Sequence, residues 1–217
     1  PPPPPPPPPP PHPPTPPPPT PPRHGVRRQR QMCIRDRFTP SPATVVVIPF
    51  QSGEQEELGV PVNDTYFGKV PGDRLVVKDD VLFFLGDGEY RSKIGLSPYR
   101  AKDVLGAYDA TNHILTIVKY NQPEGVTDYV NSMWEIQEHP YAGDVINSYN
   151  DGPPGPGKQP LGPFYELETS SPALALKSGQ TGTHIQLTCH FEGDKTELDA
   201  IAQQFLGVSL EEISNVF

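Results

Sequence analysis

Cysteine is almost missing from this chain. There are two, and since Cys33 lies in an opening segment unlike the rest, Cys189 stands alone in the body. A single thiol builds neither a disulfide framework nor a cysteine-based zinc site. No apolar run approaches the roughly 18 residues that a bilayer span needs, so no membrane span is expected. There is no glycine-rich phosphate loop, no Gly-x-Ser-x-Gly elbow and no His-Glu-x-x-His pair. "GDG" at 86–88 reads instead as a hairpin turn. The acidic and amide residues of "GDVINSYNDG" lack EF-hand spacing, and no metal site is expected. Positive charge is scarce once the opening is set aside. Of 17 Lys/Arg and 26 Asp/Glu, residues 1–37 hold six Arg and one Asp, which leaves 11 against 25, or −14, for the remainder. Such a surface excludes nucleic acid as the expected partner.

What is present falls into two parts. Residues 1–37 hold 19 of the 33 prolines and begin "PPPPPPPPPPPHPPTPPPPTPP". This run has few backbone donors and nothing apolar to bury, so it forms a solvated polyproline II rod. It could serve aromatic-lined proline-binding grooves. However, the following "MCIRDR" resembles the peptide obtained when sequencing-adaptor DNA is translated at the end of an assembled gene. The segment 1–37 is therefore set outside the fold, which is expected over 38–217. The compartment stays undetermined.

From residue 44 the chain consists of short runs of Val, Ile, Leu, Tyr and Phe broken by Gly, Pro, Asn and Asp. Strands are expected within 44–50, 73–80, 81–98, 112–120, 127–137, 143–150, 163–169 and 183–191. With no helix between them, they predict a mainly β, antiparallel sandwich or barrel. In 183–191 the alternation assigns Ile185, Leu187, Cys189 and Phe191 to the core, and His184, Gln186, Thr188 and His190 to the other face. Only the end changes period. Leu198, Ile201 and Phe205 mark a helix that Thr196 can cap and Gly207 can stop, and Ser209 with Glu212 makes a capping box for a second.

The segment "GPFYELETSS" carries the clearest chemistry. On a strand, Phe164, Glu166 and Glu168 share one face while Tyr165, Leu167 and Thr169 take the other. The two carboxylates then lie about 7 Å apart. Partial burial of that face would raise one pKa toward the range useful for acid–base work, and Phe164 offers a platform for the C–H face of a sugar. A solvated strand edge is the plain alternative. His184 and His190 lie roughly 20 Å apart along their strand, so at most one can serve a given atom. His113 and His139 fall in expected turns. Trp134 shares a face with Val130 and Ile136, as core or as a sugar-stacking wall. The long turn-rich segment 147–163 makes Asn150 and Asp151, in a tight Asn-Asp-Gly turn, further candidate ligand contacts.

"FYELETSSPALALKSGQTGTHIQLTCHF" resembles the C-terminal end of galactose-mutarotase-like domains, the aldose epimerase superfamily. "YVNSMWEIQEHPYAGDVINSYNDG" and "LDAIAQQFLGVSLEEI" are closer to a functionally uncharacterised bacterial branch of it. The resemblance implies a β-supersandwich binding carbohydrate on a concave sheet face. Its Leu-Glu-Thr strand places the general base on Glu168, with Glu166 as tuning or binding neighbour. Phe164, His184, Trp134, Asn150 and Asp151 become substrate contacts, and no cofactor is needed. Ser170, Ser171 and Pro172 replace the superfamily's Pro-Asp-Ala-Pro-like continuation, and its acid histidine segment is not found. Whole domains of this type are longer than 38–217, so an incomplete, C-terminal portion with uncovered apolar faces and poor solubility is expected. The alternatives are a noncatalytic glycan-binding or structural module, and a lyase or hydrolase on the same scaffold. Neither the sugar nor the oligomeric state follows from the sequence.

Overall fold

In the computed structural model, the described residues are 33–133 and 135–217. The polyproline run lies outside them. Ten strands form two sheets: β1 (Cys33–Phe38), β2 (Thr44–Pro49), β3 (Leu75–Lys78), β4 (Val81–Leu85), β5 (Ser92–Leu96), β6 (Val104–Asp109), β7 (Ile114–Tyr120), β8 (Ile146–Asn150), β9 (Tyr165–Ser170) and β10 (Gln186–Glu192). One sheet has the order β1-β9-β8-β5 and the other β10-β7-β6-β2-β4-β3. Every strand pairing is antiparallel. Helices α1 (Gln55–Leu58), α2 (Lys195–Leu206) and α3 (Leu210–Ser214) are short. Among the described residues no helix is long and apolar enough to cross a membrane.

The sequence of β2, "TVVVIP", is apolar without alternation because both of its faces are covered. Val46 and Ile48 join Phe84, Leu105, Ile146 and Leu167 in a core between the sheets. Val45 and Val47 turn the other way, onto Leu198, Ala202 and Leu206 of α2 and Leu210 and Ile213 of α3. The layers are therefore four-stranded sheet, six-stranded sheet, helices. Close approach of α2 requires Gly106 on β6, where an added Cβ would stand 2.5 Å from the Thr116 carbonyl oxygen and 3.1 Å from Leu206. The cap of α2 is Asp194, not Thr196. Its carboxylate accepts from the backbone of Thr196 and Glu197, while Gly207 in the left-handed region ends the helix and Ser209 with Glu212 makes the expected capping box.

Several expectations are corrected. The boundary drawn at 37/38 falls inside β1, whose residues 33–38 pair with β9. The alternation Arg35-Asp36-Arg37 suits a strand between two polar environments. The arginines reach Glu166, and Asp36 on the opposite side accepts from Gln186 and Thr188 of β10. "GDG" makes no hairpin, since β4 and β5 belong to different sheets and this turn carries the chain across. Gly88 fits there at φ 75°, its N–H donated to Asn150 Oδ1 at 2.8 Å. Among the described residues of 127–137 no strand forms, and the β contact there is an isolated bridge from Tyr129 to Ala142. Strand β6, which the sequence reading left out, is instead the neighbour of β2.

Strand β10 has the expected period but the opposite sense. Ile185, just before the strand, and Leu187 are each 60% exposed, Cys189 and Phe191 are half-buried with Phe191 against the helix-side core, and Gln186 and Thr188 point between the sheets. β10 is the outermost strand of its sheet, and the core under α2 reaches it at Phe191 but not at Leu187. Its inner face meets polar partners on β1 and β9.

Candidate functional site

Strand β9 lies between β1 and β8, and its alternation divides one sequence between two environments. Tyr165 and Leu167 enter the core. Phe164, Glu166 and Glu168 point away from it, into a cleft of about 400 Å³ on the outer face of the four-stranded sheet. The walls come from other elements: Tyr66 and Phe67 from the loop before β3, Arg91 and Lys93 at the start of β5, Tyr149 from β8, and Ser132, Met133, Glu135 and Leu161 from loops.

Both carboxylates are buried, at 2% and 4% exposure, and each has its own cations. Arg37 donates from Nε and Nη2 to Glu166 Oε1 at 3.0 and 2.8 Å, and Arg35 Nη1 donates to Oε2 at 3.3 Å. The Arg37 guanidinium also lies 4.0 Å from the Phe164 ring centroid. Lys93 Nζ donates to Glu168 at 3.3 and 3.4 Å and stands 5.2 Å from the centroid of Tyr66. Burying two like charges on one strand becomes tolerable when each carries an opposite charge and directed hydrogen bonds.

A second layer fixes these groups. The Tyr66 hydroxyl donates to Asp144 Oδ2 at 2.5 Å, and Asn63 Nδ2 donates to the same oxygen at 3.0 Å. Burial, then the Asp144 charge, holds Tyr66 far above the usual phenol range, so it remains a donor. Burial likewise raises Asp144, against the hydrogen bonds from Tyr66 and Asn63 and the charge of Lys93. Gly95 on β5 leaves room for this carboxylate, which occupies the place a Cβ would take. On the other wall Tyr149 donates to Asp151 Oδ1 at 2.6 Å, and burial with this bond pushes its hydroxyl up to about 12. Its ring meets Phe67 and Phe164, each at 5.8 Å between centroids. Arg91 lies 4.2 Å from the Phe67 centroid.

Of the residues singled out from the sequence, Glu166, Glu168 and Phe164 come together in the cleft. His184 does not. It lies on the core side of β9, its Nε2 hydrogen-bonded to Thr169 Oγ1 at 2.8 Å and its ring 6.2 Å from that of Tyr120. The sheet separates it from the cleft because Thr169 and Glu168 occupy opposite faces of one strand. Asn150 ends β8 instead of forming a tight turn. It accepts from Gly88 and donates to Asp87 and the Tyr90 carbonyl, so it braces the crossing between sheets. Asp151 accepts from Tyr149 and from Gly162 N, and acts on the cleft only through Tyr149. Trp134 lies outside the described residues.

The residues not foreseen are Arg35, Arg37, Phe67, Lys93, Arg91, Tyr66, Tyr149 and Asp144. Two pairs left a readable trace, cations at i and i+2 in "RDR" and in "RSK" that a strand must place on one face, and the first lay in the segment set outside the fold. Among the described residues no three His, Cys, Asp or Glu side chains are grouped to hold a metal ion.

No curated protein and no solved structure matches this chain. One family does, over residues 29–217, a span that includes all ten strands and the whole cleft. The chain belongs to the family of unknown function DUF6786.

Proposed function

We propose that the cleft binds a carbohydrate and exchanges its anomers, with Glu168 as the general base and Lys93 as the acid. The observation that carries this reading is the Glu168–Lys93 pair at 3.3 Å in a cleft walled by aromatic rings. The anomeric hydroxyl and the ring oxygen of a sugar are bonded to the same carbon. A base serving one and an acid serving the other must therefore be neighbours, as Glu168 and Lys93 are.

The steps balance. Glu168 takes the proton of the anomeric hydroxyl, the C–O bond to the ring oxygen breaks as the carbonyl forms, and the Lys93 ammonium protonates the departing oxygen. Rotation of the freed aldehyde and the reverse transfers close the ring on either face and restore both groups. Neither a cofactor nor a metal takes part. Phe164, Tyr149 and Phe67 offer apolar surfaces for the sugar's C–H faces. Glu166, oriented by Arg35 and Arg37, can accept a sugar hydroxyl and fix the ring in place.

Exchange NMR on the full chain with a panel of aldoses tests this. The wild type should accelerate anomer exchange, and Glu168→Gln and Lys93→Gln should each lose about 10²-fold or more, the usual size of a general acid–base contribution. Unchanged exchange in Glu168→Gln removes it as the base. Sugar binding without exchange would make the protein a noncatalytic glycan-binding module, and absence of sugar binding would remove the reading altogether.

A further inference from the structure

Four cations and three carboxylates line the cleft. Arg35 and Arg37 are paired with Glu166, and Lys93 with Glu168. Arg91 is different. Among the described residues no carboxylate lies within ion-pair distance of its guanidinium, and Glu135, the remaining acid of the cleft, is exposed and makes no ion pair with it. Asp151, nearby through Tyr149, has one oxygen taken by the Tyr149 hydroxyl and the other by Gly162 N.

Arg91 is nevertheless held in place. It is partly buried, stacks on Phe67 and lies beside the Tyr149 hydroxyl. A guanidinium keeps its charge throughout the accessible pH range, and its planar fork matches a carboxylate or a phosphate. Stacking fixes the plane of that fork, so little rotamer freedom remains to be lost when an anion arrives. The site stands out from its surroundings: residues 33–217 hold 13 Lys/Arg against 26 Asp/Glu, a net −13, a field that repels anions elsewhere.

Resting on the carbohydrate reading above, we infer that the cleft selects sugars bearing an anionic substituent, a carboxylate or a phosphate ester, which Arg91 receives while the ring lies over Glu168 and Lys93. Arg91 is then the specificity-determining residue of the site and takes no part in proton transfer.

Binding of galactose, galacturonate, glucose 6-phosphate, acetate and inorganic phosphate to the full chain, measured by calorimetry, tests this. At least one anionic sugar should bind about ten- to a hundredfold more tightly than galactose, the value of a charge-assisted hydrogen-bonded contact. Whichever of the two is tighter identifies the anionic group. Arg91→Met should bring that sugar down to the level at which the same variant binds galactose. Arg91→Lys, which keeps the charge without the fork, should fall between. In the wild type, which needs no variant to fold, the preference should shrink as salt is raised.

Equal binding of neutral and anionic sugars, or a preference indifferent to both Arg91→Met and salt, overturns the inference and leaves the carbohydrate reading standing. If inorganic phosphate or acetate binds as tightly as the anionic sugars, the site recognises an anion alone and the inference fails. If no sugar binds, both readings fail.

Discussion

His184 is what the four-stranded sheet makes of a titratable side chain on its inner face. Its Nε2 is engaged by Thr169, whose own hydroxyl donates to Gln186 Oε1, while its Nδ1 is buried with no hydrogen-bond partner among the described residues. Burial lowers its pKa below the ordinary 6.5. The folded protein thus prefers neutral imidazole, and the unfolded chain binds the proton first as pH falls. The corresponding stability is fully present above about 6.5 and is lost below it. Urea unfolding between pH 7.5 and 5 should show the midpoint falling more steeply in the wild type than in His184→Gln, and parallel curves would contradict this. The residue lies on the core side of the sheet and does not line the cleft.

At the scale of elements, α2 shows that packing outweighs capping in holding a surface helix. It has a cap at each end, yet a helix of 12 residues is marginal in water without tertiary support. That support is Leu198, Ala202 and Leu206 against the outer face of the six-stranded sheet. Leu206→Ala should cost about 2–5 kcal/mol and Asp194→Ala about 1 kcal/mol in denaturant unfolding. Equal losses would mean that the cap, not the buried stripe, sustains the helix. Neither change should disturb the cleft, which lies on the far side of both sheets.

The helix was legible in the sequence because the spacing of Leu198 and Ile201 and the stop at Gly207 are local signals. So was the division of β9, since a period of two needs no partner to be read. What could not be read was the side on which a face would be buried. Leu187 and Gln186 alternate correctly, but a polar lining on β1 and β9 draws Gln186 inward, and α2 stops short of Leu187. The cleft was half visible for the same reason. Glu166 and Glu168 sit two apart on one strand, whereas Lys93 joins them only through the β5–β8–β9 order, a long-range fact with no local signature.

Viewed whole, the molecule is layered unevenly. Helices cover the middle of the six-stranded sheet, and its edge strand β10 and the residue before it present Leu187 and Ile185 to solvent. An edge strand with an apolar outer face favours association, and the net charge of −9 opposes it through repulsion. Raising salt screens that repulsion. Light scattering should therefore show self-association that grows with salt and that Ile185→Thr with Leu187→Lys suppresses. Salt-independent monomers would show that this face is not sticky. The division of β9 between core and cleft also has a consequence for how such a protein can change over generations. The strand is a parity code, with odd positions 165 and 167 holding the sandwich together and even positions 166 and 168 furnishing the cleft. Inserting or deleting a single residue there would exchange the two sets, bringing charges into the core and a tyrosine and a leucine into the cleft. Substitutions can revise this strand one letter at a time, whereas changes of length must be confined to the loops.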